Sequence, residues 1–457
     1  MALKPFPPIE PEYQMIHFWG DFANEIQGEY TQAAEEGKDI AAYASLFESA
    51  AKMPSDGYKA RIADTLFDLS CALPMRKDYP YEEPSGLEEI RALRPGKQPE
   101  KKPLPAPDAL EDKILAAWQG RVSGCLLGKI IEGMRTDELH PFLKETGNFP
   151  MHRYIISQDV TPERMANYRY QMRPGCLADQ ISAAPVDDDT NYVVLAQTLI
   201  EKYGRDFTAR DVGLNWLASQ PRHAYFTAEL IAFDNMVKGF MPPHSAVVRN
   251  PYREWIGAQI RGDYYGYINP GDPETAAEMA WRDATVSHIK NGIYGEMFAS
   301  AMIAQAAVEE DIEKILETGL SQIPASSRLH EAICRVIQDY HGGVSYEECA
   351  AKIHKAYDEH TTHGWCHTIS NAMIVAAGLL YGGGDFGKSI CLAVQTGFDT
   401  DCNGATVGSI MGMRNGTKGI DPYWTAPFQD QLDTSIFGVG QVKISEMAKK
   451  TMAHMKK

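Results

Sequence analysis

The stretch Thr396-Gly397-Phe398-Asp399-Thr400-Asp401-Cys402-Asn403-Gly404, followed by Gly408 and Gly412, decides how this chain folds. It follows a helical pattern, Phe386–Gln395, that Gly397 terminates. It then opens a second helix whose glycines at 404, 408 and 412 lie at i, i+4 and i+8, on one face. Glycine costs about 1 kcal/mol per helical position. Three on one face therefore predict very close contact with another helix. The D-x-D at the mouth of that helix is a candidate carboxylate donor, against the plainer reading of an Asx-turn feeding an N-cap.

Working outward, Pro185-Val-Asp187-Asp188-Asp189-Thr190-Asn191 opens another helical pattern, with Leu195, Leu199 and Ile200 on one face and Gly204 at its end. One Asp there is a cap that complements the positive helix end. Three in a row repel and raise one another's pKa unless a cation neutralises them. Hard divalent cations take oxygen ligands of this kind. Two such clusters in one helical domain point to a shared, binuclear metal site.

Helical patterns also cover Tyr43–Ala51, Ile62–Leu73, Ala276–Ala280, Gly295–Ala307, Ile312–Leu316, His330–Tyr340, Tyr346–Tyr357, Ile369–Leu380 and Ile444–His454. Alternating β-branched runs are scarce, so the fold class is all-α. Asp108 is the expected N-cap of the first helix of the main domain, with Glu111 three residues on. The run Arg94 to Pro107 carries five prolines among charges and reads as a linker or a draped arm. The expected organisation is a helical N-terminal extension over 1–93, a Pro/Lys-rich linker over 94–107 and a catalytic domain over 108–457.

The 457 residues are 44% hydrophobic and 23% charged, ordinary for a globular chain, and their net charge of −17 argues against a nucleic-acid partner. No apolar stretch reaches bilayer length and no leader pattern opens the chain, so a cytoplasmic protein without membrane partners is expected. The eight cysteines form no C-x-x-C pair and are expected as free thiols.

Four segments taken in order resemble the ADP-ribosylglycohydrolase family. They are the Gly-rich Gly120-Arg-Val-Ser-Gly-Cys-Leu-Leu-Gly128-Lys-Ile-Ile-Glu132-Gly133, then Asp187-Asp188-Asp189-Thr190, then Arg282-Asp-Ala-Thr-Val-Ser287-His288-Ile-Lys-Asn291-Gly-Ile-Tyr294-Gly-Glu296, and the late Gly397-Phe-Asp399-Thr-Asp401-Cys402. The resemblance runs from about residue 112 to 450 and marks a divergent, bacterial-type member with an N-terminal extension. It implies a compact orthogonal multi-helix bundle holding two Mg²⁺ ions, with Ca²⁺ or Mn²⁺ as alternatives. It implies hydrolysis of the anomeric bond of an ADP-ribosyl or related ribosyl or glycosyl conjugate. Carried over, Asp187, Asp188, Asp189, Asp399 and Asp401 are metal ligands, with Cys402 as the sixth member of the expected metal set.

Three departures stand out. Cys402 replaces a ligating Thr, and sulfur is a poor ligand for Mg²⁺. Lys129 replaces an Asp of the first helix. The family's catalytic Glu falls near Thr136, leaving Glu132 as the nearest carboxylate base, with Asp189 as a second catalytic candidate. Expected substrate contacts are Lys129, His288, Asn291, Tyr294, Phe398, Tyr267 and His367. Tyr267 belongs to the aromatic run Arg261-Gly-Asp263-Tyr264-Tyr265-Gly266-Tyr267, read as a ligand-covering loop or a surface turn. Rival readings are a glycosidase on another sugar or nucleoside, a non-catalytic binder of ADP-ribose-like ligands, and an isoprenoid synthase. The last expects D-D-x-x-D, which Asp188-Asp189 does not continue.

Overall fold

The structure is a computed structural model describing residues 11–96, 98–100, 102–173 and 175–455. Residues 1–10, and Lys97 and Lys101 of the expected linker, lie outside this set. Among the described residues, twenty-two α-helices, nine short 3-10 helices and one two-stranded ribbon, Gln431–Leu432 against Val442–Lys443, make up the regular structure, so the fold is all-α. Those that frame the site, numbered in chain order, are α1 (Ile26–Glu35), α2 (Ala44–Ala51), α3 (Gly57–Ala72), α4 (Pro107–Lys129), α5 (Asp188–Tyr203), α6 (Lys290–Ala306), α7 (Thr368–Gly382), α8 (Phe386–Gln395), α9 (Thr400–Asn415) and α10 (Ile444–His454).

The glycines foreseen on α9 meet glycines on α4. A Cβ on Gly408 would lie well inside 3.0 Å of the Gly120 carbonyl, one on Gly404 would strike Gly124, and one on Gly412 would strike Ala116. From the other side, a Cβ on Gly128 would strike the backbone of Thr400 and Asp401. The two backbones therefore touch along most of their length, with no side chain between them. Thr400 Oγ1 seals the end of the seam by donating to the Gly128 carbonyl at 2.9 Å.

α6 and α7 are mostly apolar and buried on nearly every face, as central helices are. Amphipathic helices cover them: Arg328–His341 buries only Leu329, Ala332, Ile333 and Val336. α4 begins at Pro107 with Ala106 as its cap residue, so Asp108 sits in the first turn and the expected Asp108 cap is corrected. Proline at the first position needs no backbone donor, which is why the helix can start one residue earlier.

α1–α3 close a small core of their own around Ile26, Phe47 and Phe67. This unit is tied to the main body by buried charge. Arg253 Nε meets Glu36 Oε1 at 2.6 Å and its Nη1 meets Glu29 Oε2 at 2.5 Å. Arg328 Nη2 meets Glu83 at 2.9 Å and Glu254 at 2.6 Å, and His363 Nε2 meets Glu35 at 3.1 Å. Removing one partner of such a buried pair costs about 3–5 kcal/mol. The proline-rich segment is a draped arm: Arg94 Nε donates to the Gln322 carbonyl at 3.0 Å and Lys102 pairs with Glu309 at 2.6 Å.

Two expectations follow from this packing. Gly408→Ala forces the seam apart and lowers unfolding free energy by about 1–3 kcal/mol, the range for an overpacked core; chemical denaturation at unchanged m-value checks it, and an unaltered midpoint would refute the contact. The second concerns acid. Burial alone raises the Glu35 carboxyl, but His363, His367 and Arg328 outweigh it and hold it at about 2, against an ordinary value of 4.5. Burial likewise raises Glu36, and Arg253 and Lys290 pull it to about 2. Both folded values are depressed, so their contribution is complete above pH 4.5 and fades as pH falls toward 2. Glu29, raised by burial, works in the opposite sense. Hydrogen exchange across that window should show α1–α3 losing protection before α4 and α9; simultaneous loss would mean the ion pairs do not hold the unit.

Candidate active site

Two helix N-termini and the C-terminal end of α4 converge on one cavity of about 440 Å³. Asp187 caps α5, and its side chain accepts the Asp189 N–H at 2.8 Å. Asp399 stands at the cap position of α9 but its side chain makes no cap hydrogen bond, which leaves the carboxylate for the cavity. Gly397 and Phe398, both at positive φ (82° and 58°), turn the chain sharply to aim it there. For Phe398 that region is a strained one. Trp365 Nε1 donates to the Phe398 carbonyl at 2.5 Å and holds the turn.

The α4–α9 seam brings Lys129 and Glu132 beside the late motif. Glu132, Asp399 and Asp401 each place a carboxylate oxygen within 4.8 Å of the others, as do the donors of Asp189, Asp401 and Cys402 and those of Cys125, Asp187 and Asp189. Asp187, Asp188, Asp399, Asp401 and Cys402 all line the cavity, with Lys129 and Glu132. Asp189 is fully buried behind them. Arg121 Nη2 reaches its Oδ1 at 3.0 Å and Arg121 Nε its carbonyl at 2.7 Å, while its Oδ2 has no hydrogen-bond partner.

The electrostatics follow from burial and crowding. Burial and then Glu132 push the Asp399 carboxyl up to about 6. Burial, Glu132, Asp187 and Asp399 push Asp401 well above the carboxylate range, and burial with Asp187 does the same to Asp188. Asp187 goes the other way: burial would raise it, but the Lys129 ammonium at 2.5 Å lowers it. Burial and the surrounding carboxylates raise the Cys402 thiol well above its ordinary value, so it stays protonated. A protonated thiol is a poor partner for a hard cation.

The other expected contacts lie elsewhere. Tyr267 belongs to a short buried helix, Asp263–Tyr267, and its hydroxyl meets Ser409 Oγ at 2.6 Å, so the run is neither a loop nor a surface turn. Its tyrosines are buried because the helix packs on α5, α6 and Pro273–Ala284, and Tyr267 reaches α4 through the Ala117 carbonyl at 3.3 Å; Tyr265 Oη, for example, donates to Asp283 at 2.6 Å. His288 is buried against Ser287, at 2.9 Å, and Glu229, at 3.8 Å; burial and then Arg261 lower it well below its ordinary value. Asn291 donates to Glu83 at 2.8 Å and Tyr294 to the Pro84 carbonyl, both in the seam with the N-terminal unit. His367 caps α7, its Nδ1 accepting the Ile369 N–H at 3.1 Å. Phe398 reaches the site only through its backbone, its ring packing on His354 at 4.8 Å. None of these six lines the cavity.

Residues with no local sequence signal complete it. Arg173 forms an ion pair with Glu132 at 2.5 Å. Glu229, paired with Arg261 at 2.5 Å and raised to about 7 by burial, forms part of the wall. Phe226, Trp365 and, from outside the main domain, Trp19 supply aromatic surface.

Residues 106–456 match the family model described as ADP-ribosylglycohydrolase. The chain belongs to this family. Membership in the ADP-ribosylglycohydrolase family places it among hydrolases. A solved structure titled "ADP-ribosylglycohydrolase-related protein complex" is 18% identical, covers 76% of this chain and 99% of its own, and has a TM-score of 0.47. No curated protein matches the chain. No helix among the described residues is long and apolar enough to cross a membrane.

Crowded carboxylates without a counter-cation destabilise the fold. Asp401→Asn, measured with chelator present, should therefore raise stability on the order of 1 kcal/mol, the scale of one pKa unit, and should abolish any gain from added Mg²⁺. A lower melting temperature in chelator would contradict this reading of the cluster.

Proposed function

We propose that the protein is a divalent-metal-dependent glycohydrolase acting at the anomeric carbon of an ADP-ribosyl or related ribosyl conjugate. The observation that carries this reading is the convergence of both Asp motifs and Glu132 on one cavity. The donor set fits a hard cation. Glu132, Asp399 and Asp401 offer oxygen only, and raised carboxyls such as Asp401 and Asp188 ionise readily only beside added positive charge. Asp188, Asp399 and Asp401, with Glu132 close by, are the residues we assign to Mg²⁺ or a similar ion. Asp187 already has its cation in Lys129, so this part of the site has less call for a second metal. A bound ion of this kind orients sugar hydroxyls and polarises water.

The chain's own groups account for the remaining chemistry. Glu132 is the carboxylate placed to accept a proton from the attacking water, because it lines the cavity and its ion pair with Arg173 orients it. Asp189 is less suited to that role: it is pinned by Arg121 and does not reach the cavity surface. Thr136, near the position of the family's catalytic Glu, is engaged instead through its backbone N–H with Glu359 at 2.9 Å. As the C1 bond breaks, the sugar passes through an oxocarbenium-like state. Water's oxygen bonds C1 as the bond to the leaving group breaks; water gives its proton to Glu132, which returns it through solvent to the leaving group.

Hydrolysis of a panel of ADP-ribosylated side chains and simpler ribosyl conjugates tests this. Turnover is expected with Mg²⁺, to vanish with chelator, and to fall about 10²–10⁴-fold in Glu132→Gln. Folded Asp188→Ala and Asp401→Ala variants that keep full activity would exclude the mechanism. Binding of ADP-ribose without turnover of any conjugate would instead favour a non-catalytic binder.

A further inference from the structure

The part of the chain outside the family match contributes to the cavity. Trp19, in the short 3-10 turn Phe18–Gly20, lines it together with the carboxylates of α5 and α9. Its ring meets two fully buried rings nearly at right angles, Tyr252 at 5.8 Å and 88° and Trp255 at 5.9 Å and 80°. Those contacts fix the indole, yet part of it remains accessible at the cavity. Two residues before it, His17 packs on Phe226, a second ring of the same wall, at 5.9 Å.

The unit carrying Trp19 is built as a fixed wall. A lid that opens in each catalytic cycle would have few buried contacts. Here Glu29 and Glu36 clasp the buried Arg253, and Glu83 clasps Arg328. Glu35 reaches His363, two residues from Trp365 of the cavity wall. The cavity thus combines acidic groups that suit sugar hydroxyls through a cation with aromatic surface that suits a planar ring. Lys129 and Arg173, which line it, are both occupied by carboxylates, whereas Trp19, Phe226 and Trp365 offer a ligand ring surface.

We propose that the N-terminal unit is a permanent wall of the substrate cleft, and that Trp19 stacks on a planar heteroaromatic ring of the substrate, so that this added segment sets which conjugates are accepted. The proposal rests on the glycohydrolase reading above. Base-on-aromatic stacking is worth about 1–3 kcal/mol by alanine substitution, or roughly 5- to 150-fold in affinity.

The test titrates ADP-ribose, and ribose 5-phosphate as the ligand lacking a base, into the full chain with Mg²⁺. Wild type is compared with Trp19→Phe, which keeps a ring, and Trp19→Leu, which fills the packing space without one. ADP-ribose is expected to bind wild type and Trp19→Phe similarly and Trp19→Leu roughly tenfold more weakly. Ribose 5-phosphate and Mg²⁺ are expected to bind all three alike. Equal ADP-ribose affinity in Trp19→Leu and wild type overturns the stacking role alone and leaves the glycohydrolase reading standing. Equal weakening of both ligands in Trp19→Leu overturns it too, because the loss is then structural. Wild type that binds Mg²⁺ but neither ligand overturns both readings.

Discussion

The contact on which the structure depends is backbone against backbone, where α4 and α9 meet through Gly120, Gly124, Gly404 and Gly408. Each glycine costs helix propensity, and the return is an approach that no side chain would permit. That approach sets the register of the two helices. Gly128 faces Thr400, so the C-terminal end of α4 lies beside the N-terminal end of α9. Lys129 and Glu132 arrive at Asp399 and Asp401 as a consequence. α5 is registered separately, by Arg121 of α4 gripping both the carbonyl and the carboxylate of Asp189.

The assembly stores repulsion at its centre. Asp188, Asp189, Asp399 and Asp401 are all raised above the carboxylate range, and burial is the first cause in each case. Arg121 offsets part of the charge on Asp189, Lys129 the charge on Asp187, and Arg173 the charge on Glu132. What remains is an oxygen-rich surface still short of positive charge. A core selected for stability alone would not hold it, whereas a cation-assisted hydrolase has a use for it.

The N-terminal unit shows how an addition becomes integral. Beside its own small core, it is anchored by ion pairs buried against the family domain. The same seam absorbs Asn291 and Tyr294, which sequence reasoning would place at the ligand. Their polar atoms serve the interface, and Trp19 takes a place in the wall.

The sequence by itself determined the helices, because hydrophobic periodicity, terminal glycines and caps are local properties; Phe386–Gln395 and the stop at Gly204 read directly. It also determined that α9 had to touch another backbone, and that both Asp motifs begin helices. Order along the chain could not tell which side of each helix faces the cleft. Tyr267 and His288 lie on helices or turns that point into the core, and no spacing rule separates that from pointing at a ligand. Arg121, Arg173, Glu229 and Trp19 acquire their roles only from partners far along the chain, as with Arg121 and Asp263, 142 residues apart. Only the tertiary structure could decide those, because a charge or a ring becomes part of a site through what packing places across from it.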